Sequence, residues 1–186
     1  MSPERIGVVI TTYNSPLWLS KVLTGYENQT HKDFRTIIAD DGSTGETRAL
    51  IDQFRDPGIL NIDHVWHEDD GFRKCQILNK AIGETDGDYL IFPDRDCIPE
   101  PDFIATPRRL AEPGHCLSGG YIKLTMPVSE AITDDDIDSG VIFDPQWLVS
   151  KGQPNNHKLW KLSRSSLKKK LLNAITPAAA SWTGMN

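Results

Sequence analysis

The sequence has 186 residues, 25% of them charged and 38% hydrophobic, which suits one full globular domain and excludes a disordered chain, a collagen-like repeat and a disulfide-stapled miniprotein. No uncharged apolar run approaches the ~20 residues of a membrane-spanning helix, and the segment from Met1 to Ile10 is too short and wrongly flanked for a signal peptide. Residues 1–144 hold all 26 acidic residues and 13 of the 20 basic ones, a balance of −13, while 145–186 carry the other 7 bases; a body this acidic would repel a phosphate backbone and argues against nucleic acid as a partner.

In chain order, Arg5–Thr12 is a short β-branched apolar run of the kind that forms a buried strand. Ser15-Pro16 follows, a capping hydroxyl and a proline suited to a first helical position. Leu17, Trp18, Val22, Leu23 and Tyr26 then recur at helical spacing. Phe34–Ala39 is a second strand, Glu46–Phe54 a helix ended by Asp56-Pro57-Gly58, and Ile62–His67 a third strand. Arg73–Ile82 reads as a helix with Cys75, Ile77, Leu78, Ala81 and Ile82 on one face, and Tyr89–Phe92 as a fourth strand. Alternating strands and helices predict an α/β fold, a Rossmann-like, mostly parallel sheet flanked by helices with right-handed crossovers. Beyond about residue 125 the pattern weakens, and Ser163–Ile175 is the one clear helix candidate. Cys75, Cys97 and Cys116 are odd in number and lack metal spacing, which suits reduced thiols in a cytoplasmic compartment. The five histidines show no metal spacing either and read as structural.

Ligands of such sheets bind at the carboxyl ends of the strands, and the informative polar residues fall there. Thr11, Thr12, Tyr13 and Asn14 follow the first strand, Asp40 and Asp41 the second, Asp94 and Asp96 the fourth. In Asp94-Arg95-Asp96, two carboxylates two residues apart can reach one loop-side pocket. Hard oxygen ligands suit Mg²⁺ or Mn²⁺, which bind through one or two carboxylates plus substrate phosphates. Taken alone, the motif suits a solvated turn better, and its context at a strand end is what favours a ligand site. Asp40-Asp41-Gly42-Ser43 is either a turn or a carboxylate placed to accept a nucleobase N–H. Glu68–Lys74 opens the third helix, where free backbone N–H groups with Arg73 and Lys74 could hold a diphosphate, or simply cap the helix.

These four segments, Val8–Asn14, Asp40–Ser43, Glu68–Lys74 and Leu90–Cys97, stand in the order and spacing of family 2 glycosyltransferases. The chain resembles the nucleotide-sugar-binding part of their GT-A fold, in the bacterial branch that builds lipopolysaccharide and other surface glycans. The resemblance implies one domain over 1–186, with a donor-binding core over 1–124 and an incomplete acceptor-side basic segment over 125–186. It implies that Thr11, Tyr13 and Asp41 surround the base, most often uridine, with Asn14 and Gly71 in the same nucleotide-binding set. Arg73 and Lys74 would lie near the diphosphate, with Asn79 on the same helix. Asp94 would face ribose and metal, and Asp96 would ligate the Mn²⁺ or Mg²⁺ directly. Arg95 departs from the small residue common at that position, either pointing away or pairing with an acidic neighbour.

Relatives of this type invert the anomeric centre and use a carboxylate base downstream of a Gly-x-Asn-Met-like segment. Trp182–Asn186 resembles that segment, so the base is expected beyond Asn186 in a chain cut short there. Asp134-Asp135-Asp136 reads as a solvated acidic loop rather than a substitute. Lys158–Ile175 sets an imperfect apolar stripe beside Lys161, Arg164, Lys168, Lys169 and Lys170, suiting either peripheral contact with the inner face of a membrane or packing on the domain. The resulting expectation is a metal-dependent, inverting transfer of sugar from a nucleotide-diphosphate sugar, a UDP-sugar foremost, to a glycan or lipid-linked acceptor. A nucleotide-sugar-binding fragment without turnover is the alternative. A phosphohydrolase using Asp94 as nucleophile is disfavoured, because Cys97-Ile98-Pro99 follows where such motifs continue to a threonine.

Overall fold

The computed structural model describes residues 4–55 and 59–162. They form two compact units, one ending at Cys116 and one beginning at Leu117.

The first unit is built on four parallel strands, β1 (Ile6–Thr12), β2 (Arg35–Asp40), β3 (Ile62–Trp66) and β4 (Tyr89–Ile91), in the order β3-β2-β1-β4. Helices α1 (Pro16–Glu27), α2 (Gly45–Phe54) and α3 (Lys74–Glu84) connect them, and α4 (Ala105–Leu110) follows. Because a strand's side chains alternate, β1 serves two cores. Ile6, Val8 and Ile10 pack with Ile38 of β2 against Leu19, Val22, Leu23 and Tyr26 of α1 and Ile51 of α2. Val9 packs with Ile37, Ala39 and Val65 against Ile77 and Ala81 of α3. Burial on both faces is why β1 reads as an unbroken apolar run. The chain moves outward from β1 through β2 to β3 and then returns to the other edge of β1, so the switch point lies between β1 and β4.

Several details differ from the sequence expectations, beginning with β2, which runs one residue later and so includes Asp40, and β3, which stops one residue early at Trp66. Ser15 does not cap α1: its hydroxyl donates to the Tyr13 carbonyl at 2.9 Å, although Pro16 does occupy the first turn. The apolar face of α3 is narrower than its periodicity suggests, since Ile77 and Ala81 are buried while Cys75 and Ile82 are exposed. β4 ends one residue early, and Phe92, followed by a proline that cannot donate to a ladder, is 53% exposed.

The segment after β4 is tied to α1 through Gln29. Its side chain is buried, donates to the carbonyls of Gly25 (3.1 Å) and Glu100 (2.8 Å), and accepts from the Ile104 amide (3.0 Å).

The second unit, taken by itself, contains three helices of five or six residues, α5 (Met126–Ala131), α6 (Asp134–Asp138) and α7 (Pro145–Ser150), with 3-10 turns at Val141–Phe143 and Leu159–Leu162. Val128, Leu148 and Leu159 form its small core. The expected acidic loop at Asp134–Asp136 is instead the first turn of α6. The Asp136 carboxylate accepts from the Thr133 amide, and Thr133 Oγ1 accepts from the Asp136 amide. That capping box leaves the triad a structural task. The helix expected over Ser163–Ile175 and the segment Trp182–Asn186 lie outside the described residues. Among the described residues no helix is long and apolar enough to cross a membrane.

Replacing Gln29 by leucine removes partners from three backbone groups at once. We expect a loss of about 3 kcal/mol in urea unfolding; a loss below about 1 kcal/mol would show that these groups find other partners.

Candidate nucleotide and metal site

The polar strand ends of the first unit are bound to one another. Asn14, just past β1, has φ +43°, a left-handed conformation that asparagine tolerates better than most residues. Its amide donates to Ser43 Oγ at 2.9 Å, and its side-chain oxygen accepts from the Thr44 amide at 2.9 Å. Asn14 therefore clips the loop after β1 to the loop after β2. Thr11 and Thr12 are buried, and Tyr13 is half-exposed.

A strap from His67 to Arg73 leads from β3 into α3 and is anchored on both neighbouring strand ends. At the β1 end, Tyr13 Oη donates to Asp69 Oδ2 at 3.0 Å. That hydrogen bond, with the Asp69 charge, pushes the Tyr13 hydroxyl above its ordinary range. At the β2 end, the buried Asp41 accepts from His67 Nε2 at 2.7 Å and from the Arg73 amide at 3.0 Å, one donor for each oxygen. Between these anchors the backbone of Asp69 lies directly on Gly42. A Cβ added there would sit 2.6 Å from Asp69 Cα, and Gly42 has φ +95°, so both space and backbone demand glycine. Gly71 turns the strap with φ +78°.

A second histidine–aspartate pair lies beside the first. His64 Nε2 donates to Asp40 Oδ2 at 2.8 Å, and Asp40 Oδ1 accepts from the Ser43 amide at 2.8 Å. Burial alone would push the Asp40 carboxyl up, but these hydrogen bonds hold it below its ordinary value. Sequence reasoning saw the histidines as structural without naming partners. The partners follow from the parallel register, in which Asp40 faces Trp66 and Asp41 falls beside His67, and that register shows only in the structure.

The remaining candidates divide in two. The Arg73 guanidinium folds back, donating to the Glu68 carbonyl at 2.5 Å and pairing with Asp70 at 3.2 Å, so it is less available than its position suggests. The side chains of Lys74, at the start of α3, and Asn79 have no hydrogen-bond or ion-pair partner among the described residues, and neither does that of Arg95. Asp94 and Asp96 are exposed just beyond β4, and their carboxylates are likewise unpartnered among the described residues. The half-buried Cys97 thiol registers both: burial first, then the charges of Asp96 and Asp94, push it up to about 11.

Among the described residues no group of three or more histidine, cysteine, aspartate or glutamate side chains could hold a metal. Two free carboxylates nevertheless fit a hard divalent cation that takes its other ligands from phosphate oxygens and water.

An all-parallel, helix-flanked sheet with its polar residues gathered at the strand ends defines a Rossmann-like α/β domain. The sequence model of glycosyl transferase family 2 matches residues 7–112, and the chain belongs to that family. It is 29% identical over 103 residues to protein CgeD of Bacillus subtilis, covering 53% of this chain and 24% of that protein. It is 32% identical over 99 residues to chondroitin synthase of Escherichia coli, covering 53% and 14%. It is also 32% identical over 101 residues to a validoxylamine A glucosyltransferase of Streptomyces hygroscopicus, covering 53% and 24%. The similarity thus spans a quarter or less of these relatives' lengths. Two solved structures share the fold. TarS 1–349 of S. aureus matches with a TM-score of 0.51 and 22% identity, covering 55% of this chain and 30% of that one. The mannosyltransferase PcManGT of Pyrobaculum calidifontis, in complex with GDP-Man and Mn²⁺, matches with a TM-score of 0.52 and 24% identity, covering 61% and 34%.

The buried Asp40 predicts an acid limb. A carboxyl held low in the folded chain contributes stability above its unfolded value of about 3.9, and that stability is lost as pH falls through the lower folded value. His64→Phe removes the main relief while burial remains. The acid-unfolding midpoint, followed by circular dichroism, should move to higher pH; an unmoved midpoint would show that Ser43 alone keeps Asp40 ionised.

Proposed function

We propose that this chain carries the donor-binding part of a glycosyltransferase that moves sugar from a nucleotide-diphosphate sugar to a glycan or lipid-linked acceptor in surface polysaccharide synthesis. UDP-sugars are the first donors to consider, and the transfer inverts the anomeric centre. The observation that carries this reading is the pair of unpartnered carboxylates, Asp94 and Asp96, directly beyond the strand that flanks the switch point. Relatives named as chondroitin and hyaluronan synthases and as a glucosyltransferase support it.

In this reading Thr11, Tyr13, Asn14, Asp41 and Gly71 border the base, and Asp94 and Arg95 the ribose. Lys74 and Asn79 lie on the diphosphate side, with the amide groups that open α3. Arg73 acts there through its place in the strap more than through its charge. Asp94 and Asp96 would hold Mn²⁺ or Mg²⁺, which when bound neutralises charge gathering on the departing diphosphate. The protein's own contribution is to orient the donor on an anchored rim and to keep two carboxylates free of internal partners.

Thermal-shift measurements with a panel of nucleotide sugars, with and without Mn²⁺, test the assignment on the parent chain and Asp96→Ala. At a hundredfold excess over Kd, the matching donor with Mn²⁺ should raise Tm by about 5 °C in the parent and by much less in the variant. Equal shifts, or none, would remove Asp96 from the site. Stabilisation without hydrolysis or transfer would leave a binding module.

A further inference from the structure

We infer that His67 is a positioning residue for nucleotide recognition, fixing the plane of the Asp41 carboxylate at the base end of the site; the inference rests on the donor-site reading above. Asp41 leaves β2 with two side-chain torsions to settle and little contact with water. Its two oxygens take one donor each from the same strap, the imidazole N–H of His67 at 2.7 Å and the backbone N–H of Arg73 at 3.0 Å. Two donors from different directions hold a carboxylate in one orientation. Each oxygen keeps a second lone pair for a ligand donor.

The geometry follows directly from the strands. Asp40 pairs in register with Trp66, so the next residues, Asp41 and His67, meet just beyond the last paired position. The His67 and Asp41 side chains are 19% and 7% exposed, whereas those of the neighbouring His64–Asp40 pair are more closed off, at 5% and 1%. Asp40 uses its other oxygen on Ser43, within its own loop. The two pairs share one chemistry, but one braces the fold and the other borders the proposed base pocket. Holding Asp41 in place beforehand removes an ordering cost that each binding event would otherwise meet.

Calorimetric titration with UDP and, in parallel, GDP, both with Mn²⁺, tests this, and the nucleotide that the parent binds is carried through the variants. His67→Phe keeps a ring without a donor and should weaken binding about tenfold or more, the scale of one hydrogen bond to a charged group. His67→Gln places an amide N–H near the lost Nε2 and should stay within about threefold of the parent. His64→Phe should lower stability while nucleotide affinity in the folded protein stays within about threefold. Should the His67→Phe chain not fold, His67→Asn, polar but too short to reach Asp41, is read in its place. Parent-like affinity in the Phe or Asn variant, or failure of Gln to restore it, overturns the positioning role. A parent chain that binds neither nucleotide overturns the donor-site reading itself.

Discussion

β1 is the constraint on which the rest depends. It is hydrogen-bonded to a strand on each side, and every residue from Ile6 to Thr12 is buried. A strand so placed offers no face for chemistry. Polar function can enter only where the ladder stops, and the same holds for β2, whose last residue, Asp40, is among the most buried in the chain. The site is therefore a rim, made of what each strand does immediately after its last paired residue.

That rim is held together from within. Asn14 joins the first loop to the second, Asp41 receives the strap from β3, and Tyr13 receives it at Asp69. Each link uses a group that could otherwise contact a ligand, so the residues around the base side serve the architecture as well as the site. The β4 side differs. Asp94, Arg95 and Asp96 take no part in this network, which suits groups whose partners come from outside the chain.

Much of the first unit was legible in the sequence because burial on both faces writes itself as β-branched runs, and because an apolar stripe marks α1 to α3. Asp94 and Asp96 stood out for the same reason, as the first charges after such a run. What could not be read was pairing across strands. That Asp41 meets His67 and Asp40 meets His64 depends on β3 lying beside β2 in one register, and no local pattern encodes that neighbour. The narrow face of α3 was hidden similarly, since Cys75 and Ile82 are apolar but the sheet buries Ile77 and Ala81, with Leu78 partly buried beside them. Among the described residues of the second unit the helices are too short to show periodicity. Their signals lie at their starts: Pro127 in the first turn of α5, the Thr133–Asp136 box of α6, and Asp144 before Pro145.

The strap carries a consequence for how this rim can vary between related chains. His67 and Arg73 both end on one carboxylate, and Asp69 lies on a glycine between them. The loop is thus a closed ring with a fixed circumference. Adding or removing a residue inside it would strain an anchor, so a change of length costs more here than in a loop held only at its ends. Change is easiest in the side chains at its outer tip, where Asp70 and the 88%-exposed Phe72 face solvent, while Gly71 between them is fixed by its φ of +78°.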